Sequence, residues 1–379
     1  LDQYDPQLRK ERGVYYTPAE VVSYMVRAAD AALRSRFGLP LGLADPTSWG
    51  EFAKARGLAV PRGVSPDEPF VQVLDPAAGT GTFLLHVIEV VHQSMMAAFA
   101  AQGLSAAAAG AAWVEYVRHQ LLPRLHGCEL MMAPYLICHL RLGLALSETG
   151  FQFSGDDQLR VLLTSTLELH DRQQPPRRGQ SAAAQARAAQ RLKSTAPISV
   201  VLGNPPYDKQ ARAGSGTQQL WIVAGKVPGR SSGASLFDDL LAVARARTVF
   251  SHHAALYNLY VYFWRWALWK VLEQRGGQPG LVALVTASSW LSGPGFVGLR
   301  KLARELTEEL FTVDLGGDNL GTGPEPNVFA IKSAVAITMG IRTGVQPAQP
   351  ARAQYRKVSG ASAADKLAAL TRLTDDPLG

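Results

Sequence analysis

Cysteine is nearly absent: Cys128 and Cys138 are the only two in 379 residues, and they sit in one apolar stretch. Two thiols make no disulfide framework, and no Cys/His cluster has metal-ligand spacing, so both read as reduced core thiols and no metal site is expected. His252 and His253 are adjacent, and packing or surface is their default reading. The longest aromatic-rich run, 259–272, is too short to span a bilayer and carries Arg265, so it reads as a core helix, and no membrane is expected. The first residues are polar and do not begin with Met, which speaks against a secretory leader and suggests a piece cut from a longer polypeptide, and the reduced thiols lead to the expectation of a cytoplasmic one. Acidic residues are absent from 172 to 193, although that stretch carries six basic ones. The formal charge of +7 leans toward a polyanionic partner without establishing one.

What is present is a repeated alternation of short apolar runs with helical periods. Strands are expected at Val71 to Leu74, Leu125 to Leu130, Arg160 to Ser165, Ile198 to Leu202, Leu281 to Thr286, Leu310 to Leu315 and Ala334 to Ile341, which is an α/β pattern. The first strand runs into Asp75-Pro76-Ala77-Ala78-Gly79-Thr80-Gly81-Thr82-Phe83 and then a helix through Leu84, Val87, Ile88, Val91 and Met95. Strand, Gly-rich turn and helix open a nucleotide-type unit. A dinucleotide site wants a third Gly where Leu84 stands, and the Gly-Lys-Ser/Thr of a triphosphate loop is missing. A ligand with an adenosine, an amino-acid tail and no phosphate fits better, namely S-adenosylmethionine. Gly79 and Gly81 would permit close backbone approach, and Asp75 would stand near the ammonium end. The second strand ends at Glu129, placed either to accept from ribose hydroxyls or to start the helix Met132 to Leu146 as a solvated acid.

The run Ile198 to Leu202, then Gly203, leads into Asn204-Pro205-Pro206-Tyr207. Neither proline donates a backbone hydrogen and both have fixed φ, so the Asn204 amide and the Pro205 carbonyl form a rigid pair of acceptors beside the flat Tyr207 ring. Such a site suits a planar heterocycle with an exocyclic amine, such as adenine. The plainer reading is a strand stop with a tyrosine packed beneath it.

At the other end of the chain order, Tyr15-Tyr16-Thr17-Pro18 precedes the helix Ala19 to Arg36, with Thr17 expected as N-cap and Pro18 at the first helical position. The organisation expected is an N-terminal helical element over 1–37, a connecting insertion over 38–69, a core over 70–342, and a linker or the start of another domain over 343–379. Two basic flexible loops are expected inside the core, 172–195 and 208–235; the first is either solvated or in contact with a phosphate backbone, and the second reads as a flap over the edge that carries Asn204 to Tyr207.

The ordered set Tyr15-Tyr16-Thr17-Pro18, Asp75 to Phe83 and Asn204-Pro205-Pro206-Tyr207 resembles amino-methylating DNA methyltransferases of the gamma arrangement. More narrowly, Arg12 to Pro18, Leu130-Met131-Met132-Ala133-Pro134-Tyr135 and Leu163-Thr164-Ser165-Thr166-Leu167-Glu168 resemble the methyltransferase part of type ISP single-polypeptide restriction-modification enzymes, over roughly residues 4 to 342. Ala78 and Thr80 stand where Cys and Ser are common in the family, and Ser165 where Asn is common. The resemblance implies a Rossmann-like class I methyltransferase fold with a mixed, mostly parallel sheet and helices on both faces. It implies that Tyr16, Thr17 and Pro18 close over the methionine end of S-adenosylmethionine. Asp75, Pro76, Ala77, Gly79, Gly81, Thr82 and Phe83 would surround that cofactor, with Glu129 on its ribose and Thr166 near its adenine. Asn204, Pro205, Pro206 and Tyr207 would hold a flipped adenine of double-stranded DNA, with Phe329 packing it from the other side. Helicase-like, nuclease and target-recognition parts would lie elsewhere in a longer polypeptide. A protein methyltransferase acting on a glutamine amide, and a non-catalytic DNA-binding piece, are the alternatives.

Overall fold

A computed structural model describes residues 17–168, 180–207, 222, 235–319, 325–329, 331–344 and 347–373. These build an α/β fold, as the alternation of strands and helical periods implies, with eight strands among the described residues. The chain divides into two compact units: Val22–Ser165 with Pro175–Gly203 and Thr374–Gly379, and Asn204–Leu373 with Leu1–Val21 and Thr166–Gln174.

In the first unit, α1 (Ala19–Ser35) buries Val22, Met25, Val26, Ala29 and Leu33, the stripe its helical spacing lays on one face. α2 (Trp49–Arg56) starts at a capping box between Ser48 and Glu51. The segment expected only to connect is thereby a core contributor: the Phe52 ring stacks on Phe70 at 3.8 Å and Trp49 meets Phe70 edge-on at 4.7 Å. β1 (Val73–Asp75) follows, then α3 (Thr82–Ala101), α4 (Ala106–Tyr116) and, after a π turn, β2 (Leu125–Glu129). Gly103 at φ +76° separates α3 from α4, whose start Ser105 caps. α5 (Met132–Glu148), β3 (Arg160–Leu163), α6 (Gln180–Ser194) and β4 (Val200–Gly203) complete the unit. Its strands run β3-β2-β1-β4, all parallel. Their C-terminal residues Asp75, Glu129, Leu163 and Gly203 therefore share one edge.

α6 corrects the expectation of a basic loop over 172–195 for its described part, 172–179 lying outside the described residues. Ala, Gln and Arg are good helix formers, and the helix buries Ala189, Leu192 and Lys193. The expected loop over 208–235 lies outside the described residues except for Ile222 and Ser235.

The second unit contains α7 (Asp238–Ala246), α8 (Leu259–Leu268), β5 (Gly280–Ala287), α9 (Val297–Leu306), β6 (Glu309–Gly316), β7 (Val335–Arg342), β8 (Arg352–Lys357) and α10 (Ala363–Thr371). Its strand order is β5-β7-β6-β8, with β7 antiparallel to β5 and β6, and β8 parallel to β6. The expected linker thus holds a strand. All six β8 residues are exposed, so pairing with β6, not burial, makes it a strand, and no apolar alternation marks it.

Arg342 on β7 is fully buried, and its guanidinium donates to the carbonyls of Gln278 (3.0 and 2.6 Å), Leu306 (3.2 Å) and Leu272. Burial lowers its pKa to about 10, with Glu273 and Glu308 opposing. Removing the guanidinium would leave those carbonyls unpaired, so Arg342→Met should lose about 3 kcal/mol of stability in urea unfolding. A loss below about 1 kcal/mol would mean that the carbonyls find other donors.

Candidate functional site

β1 ends in Asp75, which is 1% exposed, and the chain then turns sharply into α3. The turn is held by a short series of bonds. Asp75 Oδ1 accepts from the Ala77 amide at 3.0 Å, the Ala78 amide donates to Cys128 O at 2.8 Å, and the Gly79 amide donates to Glu129 Oε2 at 2.8 Å. The other carboxylate oxygen, Glu129 Oε1, accepts from the Met131 amide at 2.7 Å. Gly79 and Gly81 have φ of +55° and +81°, the left-handed region that glycine adopts without strain. They differ in surroundings. A Cβ on Gly79 would meet nothing within 4 Å, whereas one on Gly81 would lie 2.6 Å from Cys138 Sγ. Gly79 is open to a ligand, and Gly81 is needed for the packing of α5 on the turn. Arg141 on α5 then fastens the outside of the turn, donating from Nη1 to Thr80 O (3.0 Å), Thr80 Oγ1 (3.1 Å) and Thr82 Oγ1 (3.2 Å).

Both carboxylates are expensive to ionise where they sit. Burial pushes Asp75 up to about 7, against the Ala77 amide and with a further push from Glu129. Glu129 is also raised by burial, opposed by the amides of Met131, Gly79 and Leu130. A cationic ligand would relieve this cost. Cys138, by contrast, is held up to about 12 by burial and is an inert thiol. The Gly203 backbone packs against Asp75: a Cβ there would fall 2.9 Å from Asp75 Oδ1.

Asn204 follows Gly203 and belongs to the second unit, as does Thr17. Its Nδ2 donates to Thr17 Oγ1 at 3.0 Å, and its Oδ1 accepts from the Tyr207 hydroxyl at 2.7 Å. The amide is therefore clamped on both sides. Thr17, expected as the helix cap, holds the Asn204 amide, and α1 begins at Ala19. Burial, and then Tyr260, pushes the Tyr207 phenol well above its usual range, so it is a neutral donor. Tyr260 on α8 meets the Tyr207 ring edge-on at 6.0 Å, bonds Ser289 Oγ at 3.2 Å, and is itself raised to about 12 by burial.

Of the residues singled out in the sequence, Asp75, Pro76, Ala77, Gly79, Gly81, Thr82, Phe83 and Glu129 are gathered around the turn in the first unit. Thr17, Pro18, Asn204, Pro205, Pro206 and Tyr207 lie in the second, as does Thr166, which is 2% exposed. Tyr16 lies outside the described residues. Phe329, which the resemblance places on the far side of the base, is buried, with its amide held by Asn327 Oδ1 at 2.8 Å; among the described residues the ring that meets Tyr207 is Tyr260. The sequence reading missed Tyr260, Ser289 and Arg141. It also missed Lys193, 3% exposed, which donates to Thr164 Oγ1 at 2.8 Å beyond the end of β3. Arg141 as the single Arg of a mostly apolar helix was the available signal for it; Tyr260 carries none within its aromatic run.

No family model matches the chain, and no curated protein matches it. Solved structures do. The chain is similar to the ATP-dependent Type ISP restriction-modification enzyme LlaBIII bound to DNA (21% identity, 94% of this chain and 21% of that one, TM-score 0.66). It is also similar to a nuclease-deletion mutant of the Type ISP enzyme LlaGI in complex with a DNA substrate mimic (20% identity, 94% and 25%, TM-score 0.68) and to DrdV in a DNA complex (23% identity, 99% and 31%, TM-score 0.62). At these identities the likeness shows the fold, and the chain spans about a fifth to a third of the length of those proteins.

The raised Asp75 pKa has a direct consequence for the unliganded protein. A carboxyl whose folded pKa lies above its unfolded value of 3.8 contributes stability fully present below that value and lost as pH rises through about 7. Asp75→Asn removes that ionisation, so the variant should gain on the wild type in urea unfolding between about pH 5 and about pH 8. Parallel stability at both pH values would mean that Asp75 is ionised throughout.

Proposed function

We propose that this chain is the modification module of a restriction-modification or phage-defence protein, transferring a methyl group from S-adenosylmethionine to the N6 amine of an adenine extruded from double-stranded DNA. The observation that carries the reading is the clamped amide of Asn204. Thr17 and Tyr207 fix it, Pro205 follows it with a carbonyl, and an aromatic pair stands beside it. The turn after β1 supports the cofactor assignment. Gly79 leaves its backbone approachable, two buried carboxylates favour a cation, and the sequence offers no phosphate loop.

S-adenosylmethionine, when bound, supplies an electrophilic methyl on a sulfonium. Asp75 would face its cationic tail and Glu129 its ribose hydroxyls. The chain's own work is done at the acceptor. Asn204 Oδ1 and the Pro205 carbonyl accept the two amine hydrogens, which draws the nitrogen lone pair out of conjugation with the ring. Tyr207 stacks the base, offsetting the loss of stacking in the duplex. Asn204 Oδ1 has two lone pairs, so the amine and the Tyr207 hydroxyl can both bond it. The similarity to restriction-modification enzymes solved with DNA supports the choice of DNA over a peptide amide.

The test is transfer of labelled methyl from S-adenosylmethionine to duplex DNA by the natural polypeptide, with nucleoside analysis of the product. N6-methyladenine is expected. Asn204→Ala should lower kcat about 10²- to 10³-fold while cofactor binding in calorimetry persists. Tyr207→Phe, which keeps the ring, should stay within about tenfold of wild type, and Tyr207→Ala should lose the stacking worth about 1–3 kcal/mol. Cofactor binding with methylation of a glutamine amide instead of DNA would replace this reading with the protein-methyltransferase one. Absence of cofactor binding would leave a non-catalytic DNA-binding piece.

A further inference from the structure

The acceptor unit carries a cationic surface that the acceptor chemistry does not use. From Leu240 to Leu272 the chain has no Asp or Glu. Its buried cations there are accounted for: Arg265 pairs with Asp239 and Glu273, and Lys270 donates to Gln274 Oε1. Arg245 and Arg247, at the end of α7, are both exposed and have no carboxylate partner among the described residues. Asp238, the remaining acid of that helix, is at its opposite end and accepts from the Ser235 amide.

These arginines are presented by an ordered turn. The Arg245 guanidinium lies over the Phe250 ring at 4.9 Å, and the same ring stacks on His253 at 4.4 Å, nearly parallel. His253 Nδ1 in turn bonds Phe250 O at 2.7 Å. A guanidinium held over an aromatic ring keeps its fork of donors, which matches the oxygens of a phosphate. Between the two elements Thr248 has φ +57°, the one described non-glycine residue in that region. A β-branched residue there is strained, which marks a turn whose path is set by its surroundings.

The surface is joined to the acceptor through close packing within one unit. Gly295 lies so near the backbone of His252 that a Cβ would fall 2.3 Å from His252 O. Its neighbour Phe296 meets the Tyr260 ring at 6.2 Å, and Tyr260 meets Tyr207 at 6.0 Å. The cationic turn is two layers from the residue that would stack the base.

We infer that the turn carrying Arg245 and Arg247 is a docking surface for the phosphate backbone of duplex DNA beside the extruded base, an inference that rests on the DNA-methyltransferase reading. Contacts of this kind position the duplex without reading its sequence. β8 is also basic and exposed, but its Arg352 and Arg356 have no comparable link to Tyr207.

The experiment measures binding of a fluorescein-labelled, mixed-sequence duplex by anisotropy over a range of salt concentrations. It compares the wild type, Arg245→Gln/Arg247→Gln, and Arg352→Gln/Arg356→Gln as a control with the same change of charge. Cofactor binding confirms that each variant is folded. Losing two phosphate contacts should flatten the slope of log K against log[salt] by about 1.8, and the control pair should change it by less than about half of that. A slope equal to wild type, or an equal loss in the control pair, overturns the assignment while wild-type methylation of DNA leaves the reaction standing. A wild type that neither binds nor methylates duplex DNA overturns the reaction and the surface together.

Discussion

Glu129 accepts from the amides of Gly79 and Met131, and that pair of bonds ties the end of β2 to the turn after β1 on one side and to the approach to α5 on the other. A buried carboxylate is tolerated only where such donors surround it. The parallel register makes this meeting possible, because Asp75 pairs with Gly127 and Glu129 with Leu163. Gly127 adds a second condition: a Cβ there would lie 3.0 Å from Leu84 and 3.3 Å from Ala78, so strand, turn and helix close on one another through a residue without a side chain. The turn is shaped by the scaffold before any ligand arrives, which is what pre-organisation of a binding site requires.

The division of labour between the two units follows from this. The first holds electrostatic tension, two carboxylates raised by burial. The second holds directed hydrogen bonds among neutral groups, with Asn204 between Thr17 and Tyr207. A cation is favoured by the first arrangement and a planar amine by the second. Neither preference depends on a charged base, so in the proposed reaction these residues would orient the reactants more than remove a proton.

Much of this was legible in the sequence because parallel strands buried on both faces leave continuous apolar runs, and the Gly-rich turn and Asn-Pro-Pro-Tyr punctuate their ends. β8 was not legible, since six exposed and mostly polar residues become a strand only by pairing with β6. Nor was α6, whose Ala and Gln residues carry propensity but almost no apolar period. Arg141 and Tyr260 escaped for a different reason. Their roles are set by what faces them across the fold, Thr80 and Thr82 in one case and Tyr207 in the other, and no local pattern encodes a partner at that distance in sequence. Phe329 was carried over from the resemblance alone; the structure shows it buried with its amide held by Asn327 Oδ1.

The Tyr207 hydroxyl poses the remaining question of magnitude. Its bond to Asn204 is between neutral groups, and such a bond contributes about 1 kcal/mol net. Stacking a base on the same ring is worth about 1–3 kcal/mol. On the proposed reading the ring therefore outweighs the hydroxyl once a base is present, and the hydroxyl matters most before binding, when it and Thr17 together fix the Asn204 amide. Raising the phenol above its usual range keeps it a donor in that resting state, and Tyr260 adds to the shift by standing beside it. The residue that holds the acceptor ready and the residue that would hold the substrate are then the same tyrosine, using its two ends.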